Sequence, residues 1–156
     1  MSKPIRLTAI IPCYNFEKYV EQAVDSVLNQ VVNFGYELLI VDDNSTDNTF
    51  KIINEKYGNI PHVKIHQSPK NQGVTRNLKD MMDKAVGQYL FTMDADDYIV
   101  DKEYFQRAVD FLDSNLKYSL FCSGYKLLHN DGSMYPKEDD VAVWSSQIED
   151  LHLNYL

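Results

Sequence analysis

Three carboxylates within four residues close an apolar run: Tyr89-Leu90-Phe91-Thr92-Met93 leads directly into Asp94-Ala95-Asp96-Asp97. Like charges crowded this closely are unfavourable unless a cation sits among them. An oxygen-only ligand set suits a hard divalent ion, magnesium or manganese, whereas zinc more usually recruits His or Cys. The competing reading is a solvated acidic turn, since short Asp clusters are frequent in loops. Two further stretches carry related chemistry. Pro12-Cys13-Tyr14-Asn15 offers an aromatic face, and Asp42-Asp43 offers a carboxylate able to accept an N–H. An aromatic stacks a base, a carboxylate reads a base edge or ribose hydroxyls, and a metal holds phosphates. A nucleoside diphosphate has all three parts.

Each of these stretches follows a run of strand type. Residues 7–11 read as a strand covered on both faces, residues 37–41 as a second and residues 89–93 as a fourth. Residues 62–66 alternate and form a third, with His62 and His66 on a solvated face rather than around a metal. Between them the spacing turns helical. Val20, Ala23, Val24, Val27 and Leu28 share one face of a helix that Asn15 caps and that ends near Gln30. A second helix follows the capping-rich run 44–49 and reaches Tyr57. Val74, Leu78, Met81, Met82 and Ala85 mark a third, its methionines in the core, and Tyr104, Ala108, Phe111 and Leu112 a fourth through Asn115. Ser119-Leu120-Phe121-Cys122 reads as a further strand.

This alternation predicts an α/β domain with a mostly parallel central sheet flanked by helices. In such sheets ligands bind outside the carboxyl ends of the strands, where the strand order reverses. The three loaded loops therefore belong on one edge.

Composition narrows the ligand. A chain of 156 residues, 44% apolar and 24% charged, is a globular domain with a sizeable core. Its 15 basic and 23 acidic residues leave a net charge of −8, which argues against nucleic acid. The same field repels an anionic nucleotide, so a bound cation and local basic residues must reverse its sign. There is no G-x-G-x-x-G after the first strand and no G-x-x-x-x-G-K-[ST], so no Gly-rich loop cradles the phosphates. Cys13 and Cys122 match no metal or redox spacing and read as packed thiols. The residues Met1-Ser2-Lys3-Pro4-Ile5-Arg6 carry no signal-like apolar run, and no stretch approaches the ~20 residues that span a bilayer. The expectation is a cytoplasmic protein.

In order along the chain, 8–15 (TAIIPCYN), 37–49 (ELLIVDDNSTDNT), 71–77 (NQGVTRN) and 94–97 (DADD) resemble the blocks of glycosyltransferase family 2. Four blocks in order and spacing make a specific signal where one would be weak. The resemblance covers about the first 125 residues and implies the GT-A fold, a Rossmann-like sheet, with residues 126–156 beginning an acceptor-side region. It implies an inverting, metal-dependent transferase that moves a sugar from a UDP-sugar or other nucleotide-sugar to an acceptor hydroxyl, in polysaccharide or glycoconjugate synthesis. Pro12 and Tyr14 would then line the base, with Tyr14 stacking on it, and Asp43 would accept the uracil imino proton while Asp42 supports the turn. Arg76 would meet the diphosphate, Asp94 the ribose, and Asp96, with help from Asp97, would hold Mn2+ or Mg2+. Lys70 and Lys79 are left to the solvated surface.

Such enzymes use a carboxylate base, and none is assignable here. Glu138, Asp139, Asp140, Glu149 and Asp150 are available, each reading more simply as surface. The chain would otherwise be a non-catalytic nucleotide-sugar-binding module; a nucleotidyl or phosphoryl transferase fits less well, lacking Gly-rich or lysine-based phosphate contacts. The acceptor would be a saccharide or lipid-linked, which allows peripheral association with the inner face of a membrane. Residues 144–156 keep a helix-like pattern with no Gly or Pro stop, so the domain is expected to continue past Leu156.

Overall fold

The computed structural model describes residues 3–122, 126–128 and 134–135. The chain divides into two units, Met1–Lys117 and Tyr118–Leu156. In the first, β1 (Ile5–Cys13), β2 (Gly35–Asp42), β3 (Val63–Gln67) and β4 (Tyr89–Thr92) form one sheet in the order β3-β2-β1-β4, every neighbouring pair parallel. The helices α1 (Val20–Leu28), α2 (Thr49–Tyr57), α3 (Val74–Met82) and α4 (Tyr104–Ser114) alternate with the strands.

Period-two alternation along β1 sends side chains to two different cores. Leu7, Ala9, Ile11 and Cys13 join the apolar stripes of α1, α2 and α4, including Val24, Ile53 and Phe105. Ile10 instead packs with Leu39, Val41 and Met81 beneath α3. Both faces of β1 and β2 are thus covered, as their continuous apolar runs require. On β4, Tyr89 and Phe91 pack into the first core, whereas Leu90 and Thr92 are exposed.

A buried polar group sets where β4 begins. Glu37 is 1% exposed, and its carboxylate accepts bonds from the Thr8 hydroxyl (2.8 Å), the Lys64 ammonium (2.7 Å) and the Val86 N–H (3.0 Å). The Thr8 oxygen accepts the Gly87 N–H at 2.9 Å. A Cβ on Gly87 would lie 2.5 Å from the Thr8 nitrogen and 2.6 Å from the Leu7 carbonyl carbon. Only a glycine lets the chain enter β4 this close to β1.

Several expectations need correction. Asn15 does not cap α1: the residue at that position is Tyr19, with no side-chain cap bond. The third helix stops at Met82, and Val74 (51%) and Met82 (41%) are exposed although Met81 is buried. Of this helix Asn77 and Met81 are buried, and Leu78 packs partly against Ile10, Leu39 and Val41, so its other apolar positions face outward. Residues 119–122 form no strand, and both Leu120 and Cys122 are exposed. Four apolar-leaning residues without alternation do not distinguish a strand from extended loop.

In the second unit, β5 (Leu127–Leu128) and β6 (Met134–Tyr135) pair antiparallel, Leu127 opposite Tyr135. Glu138, Asp139, Asp140, Glu149, Asp150 and the helical pattern over 144–156 lie outside the described residues. No helix among the described residues is long and apolar enough to cross a membrane.

Candidate functional site

From β1 the chain winds outward through β2 to β3 and then returns to β4 on the other flank of β1. The order therefore reverses beside β1, where the crevice for a ligand opens in sheets of this kind. Cys13 pairs with Asp42, and Ile10 with Thr92, so the loops beginning at Tyr14, Asp43 and Met93 leave the sheet from the same edge.

The first two loops are laced together. Asn15 adopts φ 60° and Asn44 φ 61°, left-handed conformations that asparagine tolerates better than most residues. The Asn15 side-chain oxygen accepts the Thr46 N–H at 2.8 Å and the Thr46 hydroxyl at 3.2 Å, while the Asn15 N–H donates to the Ser45 hydroxyl at 3.0 Å. Beyond them, Phe16 N–H donates to Thr49 Oγ1 at 2.8 Å and Glu17 N–H to Asp47 at 3.1 Å. Glu17 in return accepts the Asn48 backbone N–H at 3.0 Å and its amide at 2.9 Å. Tyr14, 41% exposed, thus stands on a loop whose next three residues are pinned to the loop after β2. Pro12 beneath it is buried.

These pins were not legible in the sequence. The run 44–49 carries residues that cap their own helices, but here most of its groups serve a neighbouring loop. Asp47 does both, accepting the Thr49 N–H at 2.9 Å and the Thr49 hydroxyl at 2.5 Å. Burial alone would raise its pKa; the bonds from Thr49 and Glu17 outweigh burial and hold it below the ordinary carboxylate value. A cavity of about 260 Å³ lined by Asn15, Glu17, Lys18, Tyr19 and Asp47 borders this lacing and touches none of the predicted site residues.

Adjacent residues at a strand end point opposite ways, and the two aspartates after β2 divide their work accordingly. Asp42, fully buried, accepts the Ser45 N–H at 3.0 Å and the Gln67 amide at 3.2 Å, which is the turn-supporting part expected of it. Beside it, burial first and then the charges of Asp42, Asp47 and Asp43 push the Cys13 thiol well above its ordinary range, so it is an inert packed thiol. Asp43, 5% exposed, reaches the other way. Its two oxygens accept the backbone N–H groups of Gln72 (2.9 Å) and Gly73 (2.8 Å), just before α3. Each carboxylate oxygen keeps a further lone pair for a ligand. Gln72 is itself held: its amide donates to Asn77 Oδ1 at 2.6 Å, and Ser68 donates to the same oxygen at 2.8 Å. Arg76 stands exposed on the first turn of α3, with no hydrogen bond or ion pair to another described residue.

At the third loop, the Asp97 N–H donates to the Asp94 carbonyl at 3.2 Å, closing a tight turn over Ala95, which is fully buried, and Asp96. The three carboxylates stay exposed around it. Burial first, and then the charges of Asp96 and Asp94, raise the Asp97 pKa. Among the described residues no three potential ligands converge on a metal position. That donor set fits a magnesium-type ion, which takes one or two carboxylates and completes its shell with water and phosphate oxygens.

A sequence profile of glycosyl transferase family 2 matches residues 8–152. The chain belongs to glycosyl transferase family 2. The family match runs beyond the four blocks, and the family's GT-A arrangement is the parallel, helix-flanked sheet described above. The chain is 43% identical over 89 residues to the chondroitin synthase of Pasteurella multocida (strain Pm70), covering 57% of this chain and 9% of that one. It is 34% identical over 113 residues to TarS of Staphylococcus aureus (strain Mu50), a poly(ribitol-phosphate) beta-N-acetylglucosaminyltransferase, covering 71% of this chain and 19% of TarS. The crystal structure of TarS residues 1–349 in complex with UDP matches with a TM-score of 0.64 over 72% of this chain and 33% of that one. A mannosyltransferase from Pyrobaculum calidifontis, in complex with GDP-Man and Mn2+, shares the fold at 24% identity, with a TM-score of 0.62 over 69% of this chain and 32% of that one.

Proposed function

We propose that this chain is the donor-binding part of an inverting, metal-dependent glycosyltransferase that takes a UDP-sugar and delivers the sugar to an acceptor hydroxyl, in polysaccharide or glycoconjugate synthesis. The observation that carries this reading is the convergence of the Tyr14, Asp43 and 94–97 loops on the edge beside β1 where the strand order reverses. TarS, bound to UDP on the same fold, supports uridine as the base.

In this reading Tyr14 stacks on the base against Pro12, and Asp43 accepts the imino N–H through a free lone pair. Arg76 places its guanidinium fork against the diphosphate. Asp94 accepts from the ribose, and Asp96 with Asp97 holds Mn2+ or Mg2+. A cation held by Asp96 and Asp97 would supply Lewis-acid stabilisation of the departing diphosphate. Arg76 adds a fixed positive charge beside the same leaving group. The family resemblance implies a carboxylate base for the acceptor proton, and no residue of this chain is assigned to that part.

Calorimetric titration tests this directly. UDP binds the wild type in manganese, binds at least tenfold more weakly without metal or in Asp96→Ala, and is preferred over GDP. Equal binding of UDP to wild type and Asp96→Ala with and without manganese would remove the metal from the reading, and absence of binding would remove the donor site.

A further inference from the structure

We infer that Asp43 has a second task besides meeting the base: it is the positioning residue that sets the first turn of α3, and with it Arg76, so that the base end and the diphosphate end of the site are mechanically one unit. The inference rests on the donor-site reading above and extends it.

The start of α3 has no side-chain cap of its own. Gly73 occupies the cap position with φ 88°, a conformation that other residues adopt only with strain, and it offers no side chain to bond the first turn. The anchor comes from across the sheet edge. Asp43 takes the Gln72 N–H on one oxygen and the Gly73 N–H on the other, and a carboxylate accepting from backbone N–H groups makes the stronger, charge-assisted kind of bond. Its negative charge also lies at the positive end of the helix.

Asn77 locks the same piece from within. Its backbone N–H donates to the Gly73 carbonyl at 3.2 Å, and its side-chain oxygen holds the Gln72 amide at 2.6 Å. Asn77 is 1% exposed, and its side-chain nitrogen has no protein partner. An unpaired buried donor is costly, and the oxygen of the same amide gathers both Gln72 and Ser68. Arg76 lies three residues beyond Gly73 on this anchored turn, exposed and with no ion pair to another described residue. Without the anchor, the guanidinium must search for the diphosphate from a frayed helix end, and ordering that turn costs conformational entropy on binding.

A residue that only reads the base matters only when a base is present. Anchoring predicts an effect on a ligand that has none. Manganese pyrophosphate is titrated into wild type, Asp43→Asn, Arg76→Ala and the double variant, and amide hydrogen exchange is followed in each free protein. Asp43→Asn keeps one acceptor oxygen, can satisfy only one of the two N–H groups as well, and remains folded. The expected result is about five- to tenfold weaker pyrophosphate binding in Asp43→Asn, no further loss when Arg76 is already Ala, and faster exchange confined to residues 72–77. Wild-type pyrophosphate affinity in Asp43→Asn, or unchanged exchange at 72–77, would overturn the anchor. If the wild type binds neither pyrophosphate nor UDP, the donor-site reading fails, and the exchange comparison still decides the anchor by itself. Asn77→Ala, which leaves Asp43 intact, is expected to speed exchange of the Gln72 and Gly73 amides less than Asp43→Asn does, and a larger effect in Asn77→Ala than in Asp43→Asn would overturn Asp43 as the principal anchor.

Discussion

The Asn15 side-chain oxygen accepts both the backbone N–H and the hydroxyl of Thr46, at 2.8 and 3.2 Å, and so joins the loop that presents Tyr14 to the loop that presents Asp43. The two walls of the proposed base pocket are therefore one hydrogen-bonded body. Asn15 achieves this from a left-handed conformation, φ 60°, which residues other than glycine, asparagine and aspartate adopt only with strain. Asn15→Ala loses the acceptor and puts alanine in that conformation, a combined cost of roughly 2–4 kcal/mol. Asn15→Gly relieves the conformational part and recovers about 1–2 kcal/mol of it. Urea unfolding of the pair separates the two contributions, and equal stability of both variants would show that φ at this position carries no cost.

Gly87→Ala probes the entry to β4. The added carbon meets the backbone of Leu7 and Thr8 at 2.6 and 2.5 Å, and backbone cannot move aside as a side-chain tip can. The expected loss is about 2 kcal/mol or more, in the range of overpacked sites. Because β4 delivers the 94–97 turn, metal-dependent nucleotide affinity falls as well. Thermal unfolding and UDP titration in manganese measure the two effects, and an unchanged melting temperature would contradict the close approach.

Acid sensitivity follows from Glu37. Burial raises its pKa, but the bonds from Lys64, the Val86 N–H and the Thr8 hydroxyl win, and the folded value lies below the ordinary one. A carboxyl depressed on folding adds stability that is fully present above its unfolded pKa, near 4.3, and is lost as pH falls through the folded value. Asp47, also depressed, acts in the same direction. Denaturant midpoints between pH 7 and pH 3 check this: Glu37→Gln is less stable than wild type at neutral pH, and the gap closes as the pH drops below about 4. A gap that widens in acid would reverse the sign.

Much of the scaffold was legible in the sequence because burial on both faces leaves a strong record. The continuous runs in β1 and β2 mark strands covered on both faces, and the helical stripe of α1 marks the face that it buries. The loops that carry the candidate site were legible as chemistry, not as connection. Asp42 and Asp43 are neighbours of one type, and only the pleat decides that one supports its own turn while the other reaches α3. Asn15 looked like a cap because asparagine caps helices, yet its partner lies thirty-one residues away. Pairings between loops have no period, so the sequence does not announce them. The same holds for Asn77, which the helical pattern of α3 treats as a polar position and the fold buries.

Charge crowding at 94–97 gives a stability test with the opposite sign. Asp97→Asn removes one of three neighbouring carboxylates whose charges oppose one another. It is expected to raise the melting temperature of the metal-free protein while reducing the further rise that manganese with UDP produces in the wild type. A variant that melts lower without metal would mean that Asp97 holds the turn rather than straining it.

Paramagnetic broadening by Mn2+ tests the donor-site assignment most directly, read as the difference between spectra with and without UDP. The predicted result is UDP-dependent broadening centred on the amides of 94–97 and reaching the first turn of α3, while His62 before β3 and the far end of α2 at Tyr57 stay sharp, and its loss in Asp96→Ala. Broadening that is the same with and without UDP, or that centres away from the end of β4, would contradict the assignment of the metal and diphosphate to this edge.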